Sequence, residues 1–224
     1  MNRESPPASE SLRRHLQQLQ SLRGPRARPP AALAAVKAWQ ARRLAATYAD
    51  LAAQPRYAEA TAFFLDDLYG PKDFSSRDEE MLRIVPAMTR LLPASALETA
   101  ALAIELEALT ESLDQRLASR LDAAAVDEER YASAYRESSV RAERLRQIDL
   151  VEAVGQRLDG LVRKPMVGTT LKLMRKPAQL AGLGDLQDFL ERGYGAFRRM
   201  GGSGEFLATF RARETALLER LLGT

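Results

Sequence analysis

Apolar residues recur along most of this chain at helical spacing, and nowhere do they alternate with polar ones in the period of two that marks a half-buried strand. After Pro30, which suits a first helical turn, Leu33, Val36, Leu44, Tyr48 and Leu51 fall at intervals of three, four and eight. Pro55 opens a second helix with Tyr57, Thr61, Phe64 and Leu68 at the 4-3-4 spacing of a buried face. A third begins near Ser75 or Ser76 and carries Met81, Ile84, Val85, Met88, Leu91 and Leu92. Residues 94–122 hold two stripes, Leu97-Ala101-Ile104-Ala108 and Leu102-Leu106-Leu109-Leu113-Leu117. Two stripes on one helix predict contacts on two sides, the place of a central helix in a bundle.

A polar helical stretch follows from Asp127 to about Leu161, rich in opposite charges four residues apart. "KPMVGTTLKLMRKPAQLAGLG" interrupts it with two prolines and three glycines, and two last helices run from Asp185 to Met200 and from about Ser203 to Leu222. The pattern predicts an all-α fold, a single-domain bundle of eight or nine helices over residues 30–224. Residues 1–29 read as a flexible basic arm in which "SESLRRHLQQLQSLRG" forms a short helix ended by Gly24, before the breaker-rich "GPRARPP".

Charge sharpens the picture. Residues 1–43 hold nine Arg or Lys against two acids, and the other 181 hold 24 against 28. The body is thus mildly acidic, which argues against a nucleic-acid partner, since such proteins gather basic charge on a folded face. The exception is the span 155–180, with six basic residues and one acid among apolar ones. That mixture suits an anionic membrane surface, or a bent pair of core helices with snorkelling lysines.

The chain has no cysteine, which excludes disulfides, thiolate metal sites and cysteine nucleophiles. It has no apolar run long enough to span a bilayer and no signal-peptide pattern at its start, so the expectation is a cytoplasmic protein. His15 is the only histidine and lies in the arm, so globin-type haem ligation, Glu-x-x-His di-iron sites and Ser-His-Asp hydrolysis have no base or ligand in the body. "GGSGEF" lacks the lysine of a phosphate loop; it reads as a helix stop followed by a start, with Ser203 as cap.

The densest chemistry lies in "FFLDDLYGPKDFSSRDEEMLRIVPAMTRLLP". Gly70-Pro71 is a helix stop and Ser76 with Glu79 a capping box, and Pro86 predicts a kink. Asp66, Asp67 and Asp73 are hard oxygen ligands of the kind Mg²⁺ takes, but no second acidic cluster faces them, so neither metal nor cofactor is expected. Asp73, Arg77 and Asp78 exceed what the corner needs. Glu214 sits on the apolar stripe of the last helix, where a carboxylate must be paired or protonated; Arg198 or Arg77 are the candidate partners. Gly193 shares a stripe with Leu186, Phe189, Leu190, Phe197 and Met200, which predicts a close helix approach.

"FFLDDLYGPKDFSSRD", "LMRKPAQLAGLGDLQDFLERGYGAF" and "FLATFRARE" resemble a family of uncharacterised bacterial all-helical proteins, over most of the chain from about residue 45. The resemblance implies one helical domain and carries no activity with it. Two functional expectations follow. The first is a non-enzymatic helical binding or regulatory protein that meets a protein partner or a second copy of itself. The second is an enzyme or small-ligand binder built on Asp73, Arg77, Asp78 and Glu214. A weaker third is contact with a membrane surface through residues 155–180.

Overall fold

The computed structural model describes residues 7–24, 30–68, 85–86, 94–121 and 126–223. Among them there is no strand, and ten α-helices follow one another: α1 (Ala8–Arg23), α2 (Ala31–Thr47), α3 (Ala49–Ala52), α4 (Ala58–Ala62), α5 (Ala94–Ala118), α6 (Glu128–Ser138), α7 (Arg141–Val162), α8 (Pro165–Leu180), α9 (Gly184–Met200) and α10 (Gly204–Leu222). A π-helical segment, Phe63–Leu68, continues α4.

The count exceeds the expected eight or nine because it includes α1, which precedes the residue-30 boundary of that expectation, and because two predicted helices divide. The first splits at Tyr48, whose ψ of 16° leaves the helical range. The stretch from Asp127 splits at Ser139 and Val140, both extended. Just before that break the Ser138 hydroxyl donates to the Ala134 carbonyl at 2.6 Å, the local side-chain bond by which serine competes with a helix ladder, and β-branched Val140 suits the extended backbone that follows. Of the predicted third helix only Val85, buried, and Pro86, exposed, are described, and both are helical. The Gly70-Pro71 stop, the capping box at Ser76 and the turn before Pro86 where a kink is expected fall outside the described residues.

The first stripe of the long helix is buried as expected, and the second is buried toward its end, while Leu102 and Leu109 are half-buried. One side of α5, through Leu97, Ala101, Ile104 and Ala108, packs with Leu12, Leu16 and Leu19 of α1 and with Val85. Further along, Leu117 and Ala118 join the main core with residues of α2, α6, α7, α9 and α10. For residues 8–23 the expected flexible arm is therefore corrected. Their leucines at spacings of four and three form a narrow apolar stripe that α5 buries completely. Polar contacts finish the joint: Arg23 donates to Glu107 at 2.7 Å, and the Gln115 amide donates to the Leu22 carbonyl at 2.7 Å, satisfying one free acceptor at the helix end.

The close approach predicted at Gly193 is present. A β-carbon there would stand 2.8 Å from Cζ of buried Phe63, so the π-helical segment packs into the notch that glycine leaves in α9. Gly201, at φ +67°, ends α9 in the left-handed conformation. Ser203 does precede α10, but its hydroxyl makes no capping bond; it is buried instead.

Candidate ligand-binding pocket

Of the four residues singled out in the sequence, Asp73, Arg77 and Asp78 lie outside the described residues, and Glu214 alone can be placed. Its neighbours on α10, Phe210, Leu218 and Leu221, are buried, so the helix carries the carboxylate inward with them. Glu214 Oε1 accepts from Arg43 Nη1 at 2.6 Å and from the Tyr48 hydroxyl at 2.8 Å. The expected pairing with Arg198 is corrected: Arg198 is exposed and donates to the Tyr194 hydroxyl at 3.0 Å. The partner comes from α2, 171 positions away.

Beside this pair lies a cavity of about 60 Å³ between α2, α5, α6, α7 and α10. Its polar lining is dense. Gln40 of α2 donates to Asp114 Oδ1 of α5 at 2.9 Å and to the Tyr131 hydroxyl of α6 at 3.2 Å. Tyr131 stacks on Trp39, the chain's single tryptophan, with ring centroids 3.7 Å apart. Arg144 enters from α7 with only 5% of its surface exposed. Its Nε donates to Ser139 Oγ at 3.1 Å and its Nη1 to Gln147 Oε1 at 3.2 Å, and Gln147 is held in turn by Thr110 at 2.8 Å. The guanidinium lies 4.4 Å from the centre of the Tyr135 ring, a cation–π contact. Among the described residues Arg144 Nη2 has no hydrogen-bond partner, and neither has Arg43 Nε, although both are buried.

The electrostatics follow from burial. Loss of solvation raises the Asp114 carboxyl above the usual carboxylate range, against the pull of the Gln40 hydrogen bond and the Arg144 charge. Burial likewise raises Tyr131, and it pushes Tyr135 up to about 12, so both phenols keep their protons at neutral pH. For Arg43 burial works against the charge, but the adjacent Glu214 carboxylate outweighs it and raises the group above its ordinary value. One arginine of the pocket is thus matched to a carboxylate. The other, Arg144, makes its direct bonds to neutral groups only and is in no ion pair among the described residues.

A buried guanidinium with a spare N–H beside a small cavity is suited to an anionic group, because its planar fork of donors matches carboxylate and phosphate oxygens. Sequence reasoning passed over Arg144, Asp114 and the two tyrosines. The signal was nevertheless present: Arg144, Ile148, Val151 and Gly155 repeat at spacings of four, three and four, and all four are buried. An arginine on such a stripe is the cationic counterpart of Glu214 on its own. No group of three or more acids or histidines arranged to hold a metal ion occurs among the described residues.

The sequence pattern of a domain of unknown function (DUF8198) matches residues 18–224, and the chain belongs to that family. The match begins inside α1, so it takes in the end of the docked N-terminal helix, from residue 18, as well as the helices that follow. No curated protein and no solved structure matches the chain.

Proposed function

We propose that this chain is a non-catalytic helical binding protein whose interior pocket holds a small anionic group, a carboxylate or phosphate, on Arg144. One observation carries the reading: Arg144 is buried, lines the cavity, and among the described residues keeps a donor without a hydrogen-bond partner and is in no ion pair. A buried charge of this kind is unfavourable by itself, and a ligand anion would supply the missing partner. The cavity has room for a handful of waters, which matches the footprint of one anionic group and not that of a drug-sized molecule. The surrounding groups include two amides, two protonated phenols and a threonine hydroxyl, of the sort that orient a ligand by hydrogen bonds, and the Asp114 carboxyl, whose burial favours its protonated form. Glu214, held by Arg43 and Tyr48, sets the limit on charge: a second negative group near it meets repulsion, so the site selects a single anionic head.

Trp39, stacked on a ring of the pocket wall, makes the test direct. Phosphate, sulfate and short carboxylates are titrated against matched chloride, reading tryptophan emission and melting temperature. Ligands that bind only the folded state raise the melting temperature with concentration. The expected result is a saturable shift with at least one oxyanion, abolished in Arg144→Met and weakened in Arg144→Lys. The unliganded Arg144→Met protein should be no less stable than the parent, since it loses an imperfectly satisfied buried charge. An equal shift in Arg144→Met, or none with any oxyanion, overturns the proposal.

A further inference from the structure

The apolar residues of α8 were expected either to meet an anionic membrane surface or to belong to a bent pair of core helices, and one side of the helix is left bare. Met166, Leu173 and Leu180 are 78%, 73% and 90% exposed. They stand seven residues apart, so they line up along one side of the helix, over 14 residues or about 21 Å of its axis. The opposite side is the packed one. There Gly168 fits against Tyr194 of α9, with a β-carbon clash of 2.5 Å were one added, and the Gln187 amide donates to the Leu171 carbonyl at 2.7 Å. Three large apolar side chains in a row on solvent are unusual for a folded protein and mark a surface built to be covered.

Charge identifies what covers it. Between Asp159 and Asp185 the chain has five basic residues and no acid. Arg163 is paired to Asp159 and Arg175 to Glu191, while Lys172 and Lys176 are exposed and in no ion pair among the described residues. Both lysines project to one flank of the apolar row, one turn apart. A second copy of this face would set lysine against lysine. A partner helix in a coiled coil would need a second apolar row three or four residues on, and those positions hold Thr169, Thr170, Lys176 and Pro177.

We propose that α8 seats this protein on an anionic lipid surface, with Met166, Leu173 and Leu180 entering the headgroup layer and Lys172 and Lys176 meeting lipid phosphates. A narrow row, with Met174 half-exposed beside Leu173, wedges between lipid headgroups, and lysines on its other side reach the phosphates on their flexible stems. Apolar insertion and basic attraction are each weak alone and act together on one surface, so binding requires anionic lipid and falls with salt. No helix among the described residues is long and apolar enough to cross a bilayer, so the contact is peripheral.

Flotation of the full chain with phosphatidylcholine vesicles, with and without phosphatidylglycerol, tests this. The expected result is co-flotation with the anionic vesicles only, reversed by high salt. It should fall at least tenfold in Met166→Ser/Leu173→Ser/Leu180→Ser and in Lys172→Glu/Lys176→Glu, with helical circular dichroism unchanged because all five side chains are exposed. Absence of flotation with anionic vesicles at low salt overturns the proposal. So does equal flotation of both variants, or a dimer in sedimentation that the serine variant abolishes while vesicles bind neither protein.

Discussion

Arg43 and Glu214 meet at 2.6 Å, one on the second helix and the other on the last, and the bond closes the bundle from its first half to its final element. Tyr48 donates to the same carboxylate oxygen, so Glu214 is held from two positions five residues apart in sequence. Neither charge is fully buried, with side-chain exposures of 20% and 12%, but both are dry enough that each needs the other.

Removing one partner should therefore hurt more than removing both. Glu214→Ala is expected to lower stability by about 3 kcal/mol, leaving a cation in the interior, while Arg43→Met/Glu214→Leu should recover most of that loss. A double-mutant cycle in urea gives the coupling directly. Additive single-mutant losses would mean that the pair contributes nothing specific.

The docked N-terminal helix makes a second prediction. Leu16 is fully buried between α1 and α5, and Leu16→Ala should cost about 2–5 kcal/mol as a cavity mutation. At about 2–4 °C per kcal/mol for a chain of this size, the melting temperature falls by roughly 4–20 °C. Deletion of residues 1–24 should do at least as much harm. A truncated protein that melts like the parent would show that α1 is dispensable to the bundle.

Two glycines of α9 form a matched pair. At Gly193 an added methyl meets the Phe63 ring, and Gly193→Ala should destabilise by about 1–3 kcal/mol through overpacking, net of its better helix propensity. At Gly195, which is exposed with nothing within 4 Å, Gly195→Ala should stabilise by about 0.5–1 kcal/mol. The opposite signs are the test, read from the two denaturation midpoints.

Asp114 makes the pocket sensitive to pH. Its carboxyl is raised in the folded state by burial, so between the unfolded value of about 3.9 and the raised folded value the native protein binds more proton than the unfolded chain. Stability from this group is present at low pH and is lost as pH rises through the folded value. Asp114→Asn keeps the shape and removes the titration, so its melting temperature should gain on the parent's as pH rises above 4. A constant difference between the two proteins across that range would show that Asp114 ionises as it would in water.

Legibility of the sequence tracked the range of each interaction. Leu97, Ala101, Ile104 and Ala108 announced a buried face because a helix repeats every 3.6 residues whatever packs against it. Glu214 was conspicuous for the same reason, being charged on an apolar stripe. Arg144 was not singled out because its stripe runs through a helix crowded with charge, where one more arginine looks solvated. The break at Ser139–Val140 was missed too, since two adjacent polar helices read as one when the signals are a serine and a valine rather than glycine or proline.

By itself, then, the sequence determined which of the described segments are helical, that no strand occurs among the described residues, and along which stripe each helix is apolar. These are consequences of backbone geometry and side-chain transfer from water, both local along the chain. Which helices meet was a tertiary decision. Nothing near residue 214 names Arg43 as its partner. Nothing in residues 8–23 says that their three leucines will be covered by α5, nor in residues 165–180 that three of their apolar residues will stay bare. Burial is a property of the surface that arrives opposite, and only the assembled bundle determines what that is.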